Sequence, residues 1–142
     1  MRFRRPKTGF PALVDRNDIT LVAYDPTGHP VGYCVALAIA SYPDALAVAE
    51  ELGVQPSETG YLAELGVCVT ARRRGVASLL LSRTLANPPA GITGWVMRTL
   101  ENNAPAITLY RRHGFTLVPC VTEMRHGRLR VYLVRRTIAY SL

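Results

Sequence analysis

Three consecutive arginines, Arg72 to Arg74, stand directly before Gly75 and a segment whose apolar residues follow helical spacing. The N-terminus of a helix leaves several backbone N–H groups without intrahelical partners and carries about half a positive charge. A glycine at this point lets a ligand approach the backbone closely, because no Cβ stands in the way. The segment therefore predicts a site for an anionic group such as a diphosphate, held by successive amides from Arg74 to Ser78. A solvated, exposed run of arginines is the alternative explanation.

The overall charge is consistent with an anionic partner. The chain has 142 residues, a net charge of +7 and 49% hydrophobic residues, which fits a single globular domain with a real core. Nucleic acid, an acidic surface and a phosphorylated small molecule would all suit this charge. No apolar h-region follows the basic N-terminus, and no apolar run is long enough to span a membrane. We therefore expect a cytoplasmic protein with no membrane partner.

The cysteines do not form a recognisable site. Cys34, Cys68 and Cys120 are far apart and each lies in an apolar run. An odd number without CxxC spacing argues against a disulfide framework and against a zinc site. The sequence therefore predicts no metal and three buried, reduced thiols.

The elements that would position the basic turn alternate between strand and helix patterns. The predicted strands are Ile19–Asp25, Val31–Tyr42, Tyr61–Val69, Ile92–Leu100 and two final strands around the turn Arg125–Arg128. The predicted helices are Asp44–Leu52, Gly75–Ala86 and Ala104–His113. This order predicts a mixed α/β (α+β) fold in which helices flank a strongly twisted mixed sheet.

Two motifs in this order resemble those of the GNAT superfamily of N-acetyltransferases. The family's Q/R-x-x-G-x-G/A signature, placed between a central strand and a helix, reads here RRRGVA, from Arg72 to Ala77. Its second block, N-x-x-A-x-x-L-Y-x-x-x-G-F, reads NAPAITLYRRHGF, from Asn103 to Phe115. The first motif alone is weak, but the two together, with a strand between them, are specific. The likeness covers roughly residues 19–136.

The resemblance implies a GNAT-like fold with acetyl-CoA as the cosubstrate. In the family, the main chain of the strand before the signature pairs with the pantetheine arm, and the signature itself binds the diphosphate. The implied cofactor-binding residues are Val67, Cys68 and Val69 for the arm, and Arg72, Arg73, Arg74, Gly75, Val76, Ala77 and Ser78 for the diphosphate. Arg72 would orient the loop through hydrogen bonds. Asn103 matches a position that contacts the pantetheine arm, although capping the second helix would equally explain it.

The resemblance also suggests two catalytic residues. Tyr110 matches the family tyrosine that supplies a proton to the departing sulfur, with a core aromatic as the alternative. Glu64, in the central strand near the implied acetyl position, could act as the general base directly or through water. A strand glutamate could instead face solvent or pair with an arginine. His113 is expected to close the helix Ala104–His113, where an imidazolium suits the helix dipole.

The N-terminal part departs from the family pattern. Family members usually begin with a strand and two helices that form the acceptor side of the cleft, whereas residues 1–18 form only a short, basic segment. We therefore expect a single GNAT domain at residues 19–142 with a shortened N-terminal substrate arm. The acceptor site would be open, or completed by a second subunit in a homodimer, or the chain would be a fragment.

These features predict an N-acetyltransferase that moves an acetyl group from acetyl-CoA to a primary amine by direct transfer in a ternary complex. The sequence does not identify the acceptor amine. Two alternatives stay open: a catalytically idle CoA-binding module, acting as a sensor or scaffold, and a basic nucleic-acid-binding protein. The second lacks interleaved surface aromatics and a recognisable reading motif.

Overall fold

The computed structural model describes residues 3–4 and 19–136. The strands are β1 (Phe3–Arg4), β2 (Ile19–Tyr24), β3 (Pro30–Ala38), β4 (Thr59–Val67), β5 (Gly94–Leu100), β6 (Thr116–Arg125) and β7 (Arg128–Arg136). The helices are α1 (Pro43–Leu52), α2 (Val76–Ala86) and α3 (Ala104–Arg112). Short 3₁₀ helices occupy Ile39–Ser41, Pro56–Glu58 and Val69–Ala71.

The chain divides into two compact units that share strand β4. The first comprises Met1–Leu37 and Leu62–Pro89, and the second comprises Ala38–Tyr61 and Ala90–Leu142. The strand order is β1-β2-β3-β4 in the first unit and β4-β5-β7-β6 in the second. This combination of a sheet with helices confirms the predicted mixed α/β class.

In the first unit, helix α2 packs closely against the antiparallel hairpin β2–β3. The approach is close at Gly32, where an added Cβ would lie 3.0 Å from Val76 Cγ1 and 3.1 Å from Leu80 Cδ1. Further along the helix, the Thr84 hydroxyl donates a hydrogen bond to Cys34 Sγ at 3.5 Å. The absence of a side chain at Gly32 thus brings the first turn of α2 down onto β3.

In the second unit, β7 lies between β5 and β6 and is antiparallel to both. Trp95 is 1% exposed and Leu133 is fully buried. The benzo edge of the Trp95 indole covers Gly60, where an added Cβ would overlap Trp95 Cζ3. Burial of large apolar side chains such as these stabilises the unit by about 1.5–3 kcal/mol for each side chain.

The helix ends follow the predicted sequence signals. Helix α1 has a proline in its first turn and ends at Gly53, which has a left-handed φ of 68°. In α3, Asn103 caps the N-terminus by accepting a hydrogen bond from the Ala106 N–H at 3.3 Å. Gly114, with φ of 88°, follows the last residues of this helix. Left-handed glycines end helices because they carry no Cβ that would clash.

Several boundaries differ from the sequence prediction. Strand β3 ends at Ala38 rather than at Tyr42, because a 3₁₀ helix follows at Ile39–Ser41. Strand β4 starts at Thr59 and ends at Val67, because the chain turns into a 3₁₀ helix from Val69 to Ala71. Strand β5 starts at Gly94 rather than at Ile92. Phe3 and Arg4 form a short strand that pairs with Ala23 and Val22 of β2. The rest of the basic segment 1–18, and with it the predicted shortened substrate arm, lies outside the described residues.

Within the described part of the chain, none of the helices combines the length and the apolar composition needed to cross a membrane.

Candidate functional site

A candidate site in the first unit lies where β4 ends and the basic turn begins. The Cys68 N–H donates to the Val31 carbonyl at 2.8 Å, and the Cys68 carbonyl accepts from the Ala71 N–H at 2.9 Å. Both backbone groups of Cys68 therefore have partners within the protein. The carbonyls of Val67 and Val69 also accept hydrogen bonds, from Arg72 Nε at 3.2 Å and from the Arg72 N–H at 3.3 Å. The prediction that this segment pairs with an extended ligand arm therefore depends on the remaining backbone groups of Val67 and Val69, and Val69 is 74% exposed.

Arg72 holds the basic turn against the end of β4. Its Nε donates a hydrogen bond to the Val67 carbonyl at 3.2 Å, although the side chain is exposed. This contact fits the loop-orienting role expected for Arg72. Arg73 and Arg74 are also exposed, and Arg73 has a left-handed φ of 64°. Such a conformation costs a non-glycine residue about 1–2 kcal/mol, so the turn stores strain.

Gly75 caps helix α2, whose first amides have no partners within the helix. Its φ of 78° and ψ of 11° are left-handed, and an added Cβ would meet no atom within 4 Å. The first backbone bond recorded for the helix joins the Leu79 N–H to the Gly75 carbonyl at 2.9 Å. Among the described residues, the Val76 and Ala77 N–H groups have no recorded acceptor. The helix dipole and the three guanidinium groups make this corner suitable for an anion.

The flanking side chains fix this corner in place. Val76 is 4% exposed and packs against β3, so only its main chain can face a ligand. Ala77 and Ser78 are half-buried, and Ser78 also has an interaction within the protein.

Glu64 lies on β4 with an exposed side chain and contacts Tyr33 of the neighbouring strand β3. Burial raises the pKa of Tyr33, and the charge of Glu64 together with a hydrogen bond to it raises the pKa further. The Tyr33 hydroxyl therefore stays protonated and donates to the Glu64 carboxylate.

Gly66 is what allows Tyr33 to reach Glu64. The Tyr33 ring lies against Gly66, where an added Cβ would be 2.5 Å from Tyr33 Cε1 and 3.1 Å from its hydroxyl oxygen. Glu64 and Gly66 are two residues apart on β4 and share one face of the sheet. The sequence analysis did not identify Tyr33, because cross-strand register is not visible in a strand pattern.

Two further residues predicted from the resemblance lie on helix α3, in the second unit. Asn103 is exposed, and its Oδ1 caps the helix, so the capping role is observed. Tyr110 is 7% exposed and forms an edge-to-face contact with Phe115, with ring centroids 5.8 Å apart. The helix position and the aromatic contact leave both a core role and an acid role open for Tyr110.

His113 occupies the C-terminal cap position of α3, but not in the charge state expected. Burial lowers the pKa of His113, and the nearby Arg135 guanidinium lowers it further. The neutral imidazole is therefore favoured near pH 7, and the expected benefit of an imidazolium at the helix end is outweighed.

The cysteines differ in exposure, which corrects one expectation. Cys34 is fully buried, and burial raises the pKa of its thiol to about 11. Cys68 is exposed, because it follows the last residue of β4 rather than lying inside the strand, so the prediction of a buried thiol was wrong there. The side chain of Cys120 lies outside the described set.

A family profile described as an acetyltransferase (GNAT) domain matches residues 16–117, which is more than half of the chain. No curated protein sequence matches the chain.

Many solved structures share the fold. A nourseothricin acetyltransferase superposes with a TM-score of 0.66 at 23% identity, covering 87% of this chain and 68% of that one. NAA60 of Arabidopsis thaliana, in complex with a bisubstrate analogue, gives a TM-score of 0.66 at 22% identity, covering 84% and 76%. The NatC complex bound to Gag peptide and CoA gives 0.64 at 19% identity, covering 82% and 70%.

Proposed function

The chain belongs to the GNAT family of acetyltransferases, and we propose that it transfers the acetyl group of acetyl-CoA directly to a primary amine within a ternary complex. The observation that carries this proposal is the corner at Gly75, where the Val76 and Ala77 amides have no acceptor among the described residues and lie beside three exposed arginines. A diphosphate matches this corner in charge and in hydrogen bonding.

The residues of the basic turn would bind the cosubstrate. Arg73 and Arg74 would contact the phosphates together with the amides of Val76 and Ala77, while Arg72 would keep the turn in position through Val67. When bound, acetyl-CoA supplies the thioester from which the acetyl group is taken. The structural neighbours with CoA or a bisubstrate analogue support a cosubstrate of this kind.

The reaction makes two unequal demands on proton transfer. An alkylammonium with a pKa of about 10.4 costs about 4–5 kcal/mol to deprotonate at pH 7. A leaving thiolate, whose thiol has a pKa of about 8.5, needs only about 2 kcal/mol of assistance. A base is therefore more important than an acid. In the proposal, Glu64 accepts the proton from the amine, and Tyr110 is the proton source for the departing sulfur.

The acceptor is proposed only as a primary amine. The neighbours are named for nourseothricin or were solved with a peptide, and such different molecules do not select one class of acceptor. A homodimer that completes the acceptor site stays part of the proposal.

Calorimetry with acetyl-CoA tests the proposal directly. We expect saturable heat of binding, and release of free thiol when a panel of primary amines is added. Absence of binding at high micromolar acetyl-CoA would contradict the proposal. Binding without turnover across the panel would instead support the idle module, and salt-sensitive DNA binding that CoA does not compete would support the nucleic-acid alternative.

Replacement of Tyr110 by phenylalanine should lower kcat by up to about 30-fold, because the assistance given to the thiolate is worth about 2 kcal/mol. The dissociation constant of acetyl-CoA should change little, since the ring and its contact with Phe115 remain. Tyr132→Phe is the matched control, because Tyr132 is also buried, at 2% exposed, but carries no proposed role. If Tyr110→Phe turns over as fast as the wild type, Tyr110 is not the acid.

A further inference from the structure

A cavity of about 220 Å³ lies in the second unit, apart from every residue assigned above. It is formed by the C-terminal end of α1 with the 3₁₀ segment that follows, the first residues of β4 and β5, and the end of β7. Its charged wall residues are Glu58, Arg135 and Arg136. A space of this size is large enough for a small organic molecule or a few waters.

Two neighbouring wall residues have buried donors for which the described residues supply no acceptor. Trp95 and Arg135 are cross-strand partners in the β5–β7 ladder, so their side chains start from the same face of the sheet. Trp95 Nε1 and Arg135 Nη1 are both buried and have no hydrogen-bond partner among residues 3–4 and 19–136. Because the benzo edge of the indole is held against Gly60, the position of the indole N–H is fixed. Native proteins rarely leave such donors unused.

The described part of the chain supplies no counter-ion for the charge of Arg135. No carboxylate forms an ion pair with Arg135 among the described residues. Its Nε lies 3.2 Å from the Cβ position of Gly114, which places the guanidinium beside the end of α3. His113 lies within the electrostatic reach of Arg135, and this interaction lowers the pKa of the imidazole. Arg135 is half-buried, but its Nη1 is fully buried, and an unsatisfied buried donor of a charged group is costly unless a ligand supplies the acceptor.

We propose that this cavity binds the carboxylate group of a small molecule, with Arg135 Nη1 and Trp95 Nε1 as donors to its oxygens. A planar carboxylate suits the fork of a guanidinium. Glu58 on the same wall disfavours a doubly charged anion such as phosphate, and it would accommodate an amino group on the same ligand. The site does not depend on the acetyltransferase proposal, because it uses none of that site's residues.

Intrinsic fluorescence tests this proposal, because Trp95 is the single tryptophan of the chain. Acetate and glycine, titrated against chloride at constant ionic strength, should each change the fluorescence in a saturable way. Inorganic phosphate should bind at least tenfold more weakly. Arg135→Gln should weaken the acetate response at least tenfold, whereas Arg128→Gln, an exposed control at the start of β7, should leave it unchanged.

His113 gives a second readout that needs no variant. Acetate bound at Arg135 would offset the positive charge near the imidazole, so the NMR titration midpoint of His113 should move to higher pH. A fluorescence response that does not saturate, an equal response in a folded Arg135→Gln variant, tighter binding of phosphate, or an unmoved His113 midpoint at saturating acetate would each overturn the proposal.

Discussion

Glu64→Gln is expected to lower kcat by about 100-fold or more at neutral pH, within the range typical of a lost general base. Glutamine keeps the shape of the side chain but cannot accept the proton of an alkylammonium. The defect should shrink as the pH rises towards the pKa of the amine, about 10.4, because the free amine then forms without help. Initial rates over a pH series, with acetyl-CoA binding measured in parallel, check both parts.

The matched control is Glu50→Gln, since Glu50 is also exposed but lies on helix α1. We expect this variant to keep wild-type rates. If Glu64→Gln shows no loss at neutral pH while acetyl-CoA still binds, the base is another group or a water chain, and the rest of the proposed function survives.

Tyr33 allows the role of Glu64 to be tested independently. Tyr33→Phe removes the hydroxyl that donates to Glu64 but keeps the ring against Gly66. If Tyr33 acts by orienting Glu64, the double variant should be no slower than Glu64→Gln alone. If instead the losses of kcat in the two single variants add up in the double variant, Tyr33 does not act through Glu64.

Gly75→Val should weaken acetyl-CoA binding by about 100-fold. The Cβ and its methyl groups would stand at the corner where the diphosphate must approach the Val76 and Ala77 amides. Two hydrogen bonds to a charged group at about 1.5 kcal/mol each would account for this loss. Calorimetry measures it directly.

Gly91→Val separates this effect from backbone strain. Gly91 has a φ of 85° and, like Gly75, no atom within 4 Å of an added Cβ. Both variants should therefore lose similar unfolding free energy, about 1–2 kcal/mol, from the left-handed conformation. Equal affinities of the two variants for acetyl-CoA would show that the Gly75 corner does not bind the diphosphate.

The sequence predicted the elements well because their boundaries are set by local signals. Pro105 in the first turn of α3 and the glycines at positions 53 and 114 act within a few residues of each helix end. The end of β4 was misplaced because Cys68 and Val69 are apolar and read as strand, whereas the chain turns there to present the arginines.

The site was predictable only where its chemistry is carried by contiguous residues. The turn from Arg72 to Ser78 is one such segment, and its geometry at Gly75 follows from local backbone preferences. The contact of Tyr33 with Glu64 depends on the register between β3 and β4, and the unpaired charge of Arg135 depends on what packs around β7. No local sequence pattern encodes the register between β3 and β4 or the packing around β7.

At two glycines of this fold, an aromatic ring from a neighbouring strand occupies the space beside the backbone. Tyr33 lies against Gly66, and Trp95 lies against Gly60. In each case the ring occupies the volume that a Cβ would need, so neither partner can change alone without a void or an overlap. Among homologues that drift in sequence, each pair should therefore covary, with a larger residue at the glycine accompanied by a smaller one in place of the ring.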